Sequence, residues 1–120
     1  MNIVSWNCRG LGNTSKFEAV KDIIRMDSPG VLLLQETKIE EDNLLSLSKN
    51  NWKKNAGKVV SEWGSSGGLA TLWTEELFSL ENSLETQHWI FTELRHIPSK
   101  ISLAIFNLYI LVNVQEKREC

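Results

Sequence analysis

The sequence predicts an α/β domain built on a mixed β-sheet, on three observations. Residues 2–35 carry a β-branched apolar segment, an amphipathic helical pattern and a second apolar segment in that order. The later half is a series of strand-like segments separated by turn chemistry. No linker, repeat or low-complexity tract interrupts the chain, so the expectation is one α/β layer without an internal boundary.

Each element has its own warrant. Asn2 to Cys8 is rich in Ile, Val and Trp and is stopped by "RGLGN", which reads as a strand and a turn. In "TSKFEAVKDIIRM", Ser15 and Glu18 have capping-box spacing. Phe17, Val20, Ile23 and Ile24 then recur at helical spacing and leave Lys16, Lys21, Asp22 and Arg25 to solvent. "DSPG" ends that helix. "VLLLQ" is short and uniformly apolar, as expected of a strand covered on both faces. Strand, helix, strand is the unit that sets two parallel strands side by side.

"IEEDNLLSLSKN" predicts a second short helix with Leu44, Leu45 and Leu47 inward. "KVVSEW", "GGLATLW", "QHWIFTEL" and "ISLAIFNLYIL" predict further strands. "GSSGG" at 64–68, "ENS" at 81–83 and "HIPSK" at 96–100 predict the turns, and short polar turns predict antiparallel pairing.

Net charge is −2 with a pI near 5.7, so no basic face of the kind that coats nucleic acid is present. That balance leaves room for an enzyme gripping phosphates through a cation, since the ion inverts the local charge. Cys8 and Cys120 have neither disulfide-framework nor zinc spacing and read as free thiols. No signal-peptide pattern and no membrane-length apolar run occurs, which predicts an intracellular protein without a membrane partner. Five tryptophans, at 6, 52, 63, 73 and 89, read as core or half-core residues. His88 and His96 fall within strand-and-turn segments and read as structural.

Two strand ends carry the candidate chemistry. Glu36 follows an inner strand at the rim where α/β sheets place ligands, and a hard carboxylate there suits Mg²⁺. Lys38, two places on, is positioned to pair with Glu36 or orient it. Asn7 ends the first strand, and its amide offers donors and an acceptor for a phosphate oxygen or a metal-bound water. A water-exposed strand-end glutamate and a turn-forming asparagine remain the plainer readings from spacing alone.

"IVSWNCRGLGN" together with "LLLQETK" resembles the opening of the endonuclease/exonuclease/phosphatase superfamily. The arrangement is similar to that of apurinic-site endonucleases and of non-LTR retrotransposon endonucleases. "GSSGGLATLW" resembles the glycine-rich turn and strand that follow. "FNLYILVNVQEKREC" resembles the family's "N-x-Y-x-P…R" segment. "SWNCRGLGN" and the terminal "EKRE" most resemble the endonuclease region of plant LINE-type elements. The resemblance implies a two-layered αβ sandwich, of which this chain is a partial, truncated form with a mixed β-sheet flanked by helices. It implies Mg²⁺-dependent cleavage of phosphodiester or phosphomonoester bonds, with DNA as partner and the nucleus as a compartment. It also implies roles by position. Glu36 is the metal ligand, Asn7 helps bind the metal or phosphate, Tyr109 contacts the scissile phosphate, and the substrate-side residues Lys38 and Asn107 support the site by hydrogen bonds.

The pattern has departures. Leu111 stands where the family has a proline after the tyrosine. The later "G-D-x-N" and "S-D-H" segments have no counterpart in the 120 residues. The expectation is therefore that residues 1–120 are the N-terminal half of such a domain, inactive alone. A sheet face left uncovered is then open to self-association. A non-catalytic interaction module and a small-molecule phosphatase fragment are the alternatives.

Overall fold

The strand, helix, strand order stands at the start of the molecule. The computed structural model describes residues 2–8, 14–38, 52, 54–60 and 68–108. Strand β1 (Ile3–Asn7) leads to helix α1 (Thr14–Asp27) and strand β2 (Val31–Gln35). β1 and β2 pair in parallel, with Ile3 opposite Val31 and Asn7 opposite Gln35. Thr14 is already helical, so Ser15 lies within the first turn instead of flanking it. The Ser15 side chain, and with it the expected Ser15–Glu18 capping box, lies outside the described residues. Glu18 pairs with Lys21 at 3.3 Å.

β2 continues the sheet through β4 (Leu69–Thr74), which is antiparallel to it, and β4 carries β3 (Asn55–Val60) on its far side. Sheet A therefore has the order β1-β2-β4-β3 and is mixed, as expected. β3 lies earlier than "KVVSEW" suggests: its pairing with β4 starts at Asn55 opposite Thr74. The second-helix stretch at 39–50 lies outside the described residues.

Sheet B is a meander of β5 (Phe78–Glu85), β6 (Trp89–His96) and β7 (Ile101–Leu108), all antiparallel. Here "ENS" is not a turn. β5 runs straight through it, and a register shift between Leu80 and Asn82 absorbs Glu81 as a bulge. The reversal falls at Thr86, whose Oγ1 accepts from the backbone N–H groups of His88 and Trp89 at 3.2 Å. The turn at 97–100 forms where "HIPSK" predicts it.

Sheet A is covered on both faces, which explains why β2 is uniformly apolar. On one face Val20 and Ile24 of α1 pack with Leu32, Leu34, Ala70, Leu72, Trp52 and Cys8, and Val4, Trp6 and Ile23 are partly buried against them. On the other, Val31 and Trp73 meet Phe78, Leu94 and Ile105 of sheet B. Period-two alternation sets the division, with successive residues of β2 going to opposite cores. The outer face of sheet B is different. Leu84, Phe91 and Phe106 form a cross-strand row there, with Leu84 and Phe106 about 60% exposed. No helix among the described residues is long and apolar enough to cross a membrane.

Candidate functional site

The parallel register fixes the geometry of the rim. Because Asn7 stands opposite Gln35, the chain leaving β2 passes Glu36 at the end of the strand that adjoins Asn7. The Cys8 N–H donates to Gln35 O at 2.8 Å and closes the pair one residue further on. The two strand ends thus reach one edge of sheet A, where α/β sheets carry ligands. A groove of about 350 Å³ opens there between the sheets, lined by Ser5, Asn7, Leu33 and Gln35 on one side and by Phe106, Asn107 and Leu108 on the other. Glu36 is half-buried and adjoins this groove in sequence without being one of its lining residues.

The turn carrying Glu36 is unusual. Glu36 and Lys38 both have φ of 52°, and the Thr37 between them is fully buried. Left-handed backbone costs an L-residue about 1–2 kcal/mol, so this conformation must be held from outside. The Thr37 N–H donates to Gly68 O at 3.2 Å. Gly68 itself has φ of 96°, and a Cβ there would overlap Thr37 Oγ1 and come within 3.1 Å of the Lys38 nitrogen. Only glycine lets the β4 entry lie so close. Thr37 Oγ1 is buried and has no hydrogen-bond partner among the described residues. Lys38 is exposed and, among the described residues, makes no ion pair with Glu36. Lys38→Gly should therefore raise the unfolding free energy by about 0.5 kcal/mol, the left-handed penalty less the backbone entropy of glycine. Urea titration measures it, and a loss of stability would count against the strained turn.

Asn107 lies on β7, 1% exposed, and faces sheet A. Its Nδ2 donates to Ala70 O at 2.9 Å and to Leu34 O at 3.3 Å, with Thr71 Oγ1 also at 3.3 Å. Its Oδ1 accepts from Gln35 Nε2 at 2.8 Å. Asn107 is thus both a wall of the groove and the polar bolt between the sheets. Tyr109 lies outside the described residues.

Sequence reasoning passed over Gln35, Ser5, Thr37 and Gly68. Alternation along β1 puts Ser5 and Asn7 on one face, and that signal was available. The pairing of Gln35 with Asn107 is a contact between separate sheets and leaves no local trace. Among the described residues, no group of three or more His, Cys, Asp and Glu side chains gathers to hold a metal. The donors at the rim are one carboxylate, amide oxygens and a hydroxyl. Mg²⁺ keeps several waters and is often held by one or two carboxylates, so this hard-oxygen set fits a part of a Mg²⁺ site.

The model of the Endonuclease/Exonuclease/phosphatase family matches residues 4–112. No curated protein matches the chain. Among solved structures, the human Nocturnin catalytic domain with bound sulfate is similar at a TM-score of 0.75 and 19% identity, over 97% of this chain and 52% of that one. A Danio rerio TDP2 humanized by 14 mutations gives a TM-score of 0.70 and 18% identity, over 98% and 50% of the two chains. The AP endonuclease of Leishmania major gives 0.65 and 18%, over 98% and 42%. At such identities the likeness speaks for the fold. The chain spans about half the length of these structures.

Proposed function

The chain belongs to the endonuclease/exonuclease/phosphatase family, and from that premise we propose that residues 1–120 are the N-terminal half of a Mg²⁺-dependent phosphodiesterase domain. The closer type is the DNA endonuclease of plant LINE-type retrotransposons, which "SWNCRGLGN" and "LLLQETK" resemble. The observation that carries this reading is the parallel register placing Asn7 opposite Gln35, one residue from Glu36.

In this reading Glu36 and Asn7 hold the cation through oxygen atoms. A cation held there would supply positive charge against a phosphate oxygen, the chemistry that phosphodiester hydrolysis calls for. Asn7 and Asn107 supply neutral dipoles at the groove, and sheet B shields its inner wall from water. Lys38 supports substrate by hydrogen bonds, Asn107 supports the site through its bonds to Gln35 and to sheet A's backbone, and Tyr109 contacts the scissile phosphate. DNA is the partner, and the compartment is intracellular and nuclear. The chain by itself is inactive, because one carboxylate does not both hold a cation and activate water.

Two measurements test this. Mn²⁺ added to ¹⁵N-labelled chain should broaden the signals of Asn7 and of residues 35–38 first, and Glu36→Ala should weaken the effect about tenfold or more. Supercoiled plasmid with Mg²⁺ should stay intact with the chain alone. Broadening or nicking that survives Glu36→Ala removes the site.

A second reading is an interaction module, favoured by the row of exposed Leu84, half-buried Phe91 and exposed Phe106 on the outer face of sheet B. It makes that face a self-association surface, and a monomer by size-exclusion chromatography at high concentration excludes it.

A further inference from the structure

Two backbone carbonyls dictate the polarity of the rim groove. Asn107 Nδ2 lies 2.9 Å from Ala70 O and 3.3 Å from Leu34 O, and carbonyl oxygens only accept. The amide nitrogen must therefore be the atom placed there, and Asn107 Oδ1 turns away from sheet A's backbone as an acceptor. Gln35 Nε2 meets that oxygen at 2.8 Å, which fixes the second amide in turn. The remaining N–H of Gln35 reaches Ser5 Oγ at 3.2 Å. A hydroxyl oxygen that accepts there keeps its own proton to give. The alternative acceptor, Gln35 Oε1, is 3.5 Å from Ser5 Oγ, where a hydrogen bond contributes little. Ser5 is exposed and lines the groove beside Asn7.

We infer that Ser5 is an anion-binding residue whose hydroxyl donates to an oxygen of a phosphate-type ligand beside Asn7, with Asn107 and Gln35 as positioning residues that set the direction of its proton. The relay runs from sheet A's backbone through a sheet B amide and back to β1, so docking of the sheets and polarity of the groove are one event. The identity of the ligand rests on the phosphoester reading, whereas the order of donors and acceptors does not. Preorganisation matters because a hydroxyl held ready to donate spends no rotamer freedom when the anion arrives.

The test uses the full 120-residue chain and inorganic phosphate, with sodium chloride at matched ionic strength as the control. Phosphate should shift the Asn7 side-chain amide and the Ser5 backbone amide saturably in ¹⁵N spectra. Ser5→Ala should weaken binding about tenfold, the worth of one hydrogen bond to a charged group, and Ser5→Thr should restore it. Gln35→Met keeps the side-chain volume, removes the orienting amide, and should weaken binding severalfold although Ser5 is intact. Unchanged affinity in Ser5→Ala, or no saturable shift at all, overturns the inference. If Gln35→Met fails to fold, the Ser5 pair decides alone. The phosphodiesterase reading is judged separately, by Mn²⁺ and Glu36→Ala, so either can fail while the other stands.

Discussion

Asn107→Asp should lower the unfolding free energy by about 3–5 kcal/mol at neutral pH, the range for an uncompensated buried charge. The substitution barely changes shape. It replaces the Nδ2 donor with an oxygen facing Ala70 O and Leu34 O, two acceptors at 2.9 and 3.3 Å. A carboxylate so placed, at 1% exposure, has lost its water and gained repulsion. Both effects favour the protonated form, so the folded state binds a proton more tightly than the unfolded chain does. The deficit should therefore narrow as pH falls. Asn107→Leu separates the two contributions, since it removes the bonds without adding charge and should cost about 1–3 kcal/mol with no such pH dependence. Urea unfolding at pH 7 and pH 4 reads both. An Asn107→Asp protein as stable as the parent would show that the sheets are not bolted through this amide.

Gly68→Ala is the second large effect, with an expected loss of about 3 kcal/mol. Part is conformational, since alanine at a φ of 96° is strained, at about 1–3 kcal/mol. Part is steric, because the new Cβ meets Thr37 Oγ1 and the Lys38 nitrogen, and overpacking costs about 1–3 kcal/mol. Neither neighbour yields easily: Thr37 is fully buried, and its N–H is bonded to Gly68 O. The shift would reach Glu36, one residue from Thr37, so Mn²⁺ affinity should fall with stability. A variant that loses stability but keeps that affinity would uncouple the turn from the site.

How far the sequence foretold the molecule depends on the range of the interaction concerned. β1, α1 and β2 were legible because alternation and helical periodicity are local signals, and "VLLLQ" announced its two covered faces. The rim was legible once parallel pairing was granted, since Asn7 and Glu36 end successive strands. "ENS" misled, because polar residues on the exposed outer strand of a meander have the composition of a turn. The left-handed turn at Glu36 and Lys38 was invisible: neither is glycine or asparagine, and the constraint comes from Gly68 on another strand. Asn107 was singled out by resemblance alone. Its burial against Ala70 and Leu34 belongs to the meeting of two sheets, which no window of sequence contains.

The strand order β1-β2-β4-β3 bears on how the chain assembles. Sheet B closes through neighbouring hairpins, each needing only a short stretch of chain to come round, whereas β1 must find β2 across a whole helix and β2 must find β4 past β3. Loop-closure entropy then delays sheet A relative to its meander. The edge where β1 and β2 end would be among the last parts to mature, after a ready-made β-platform has offered it something to settle on.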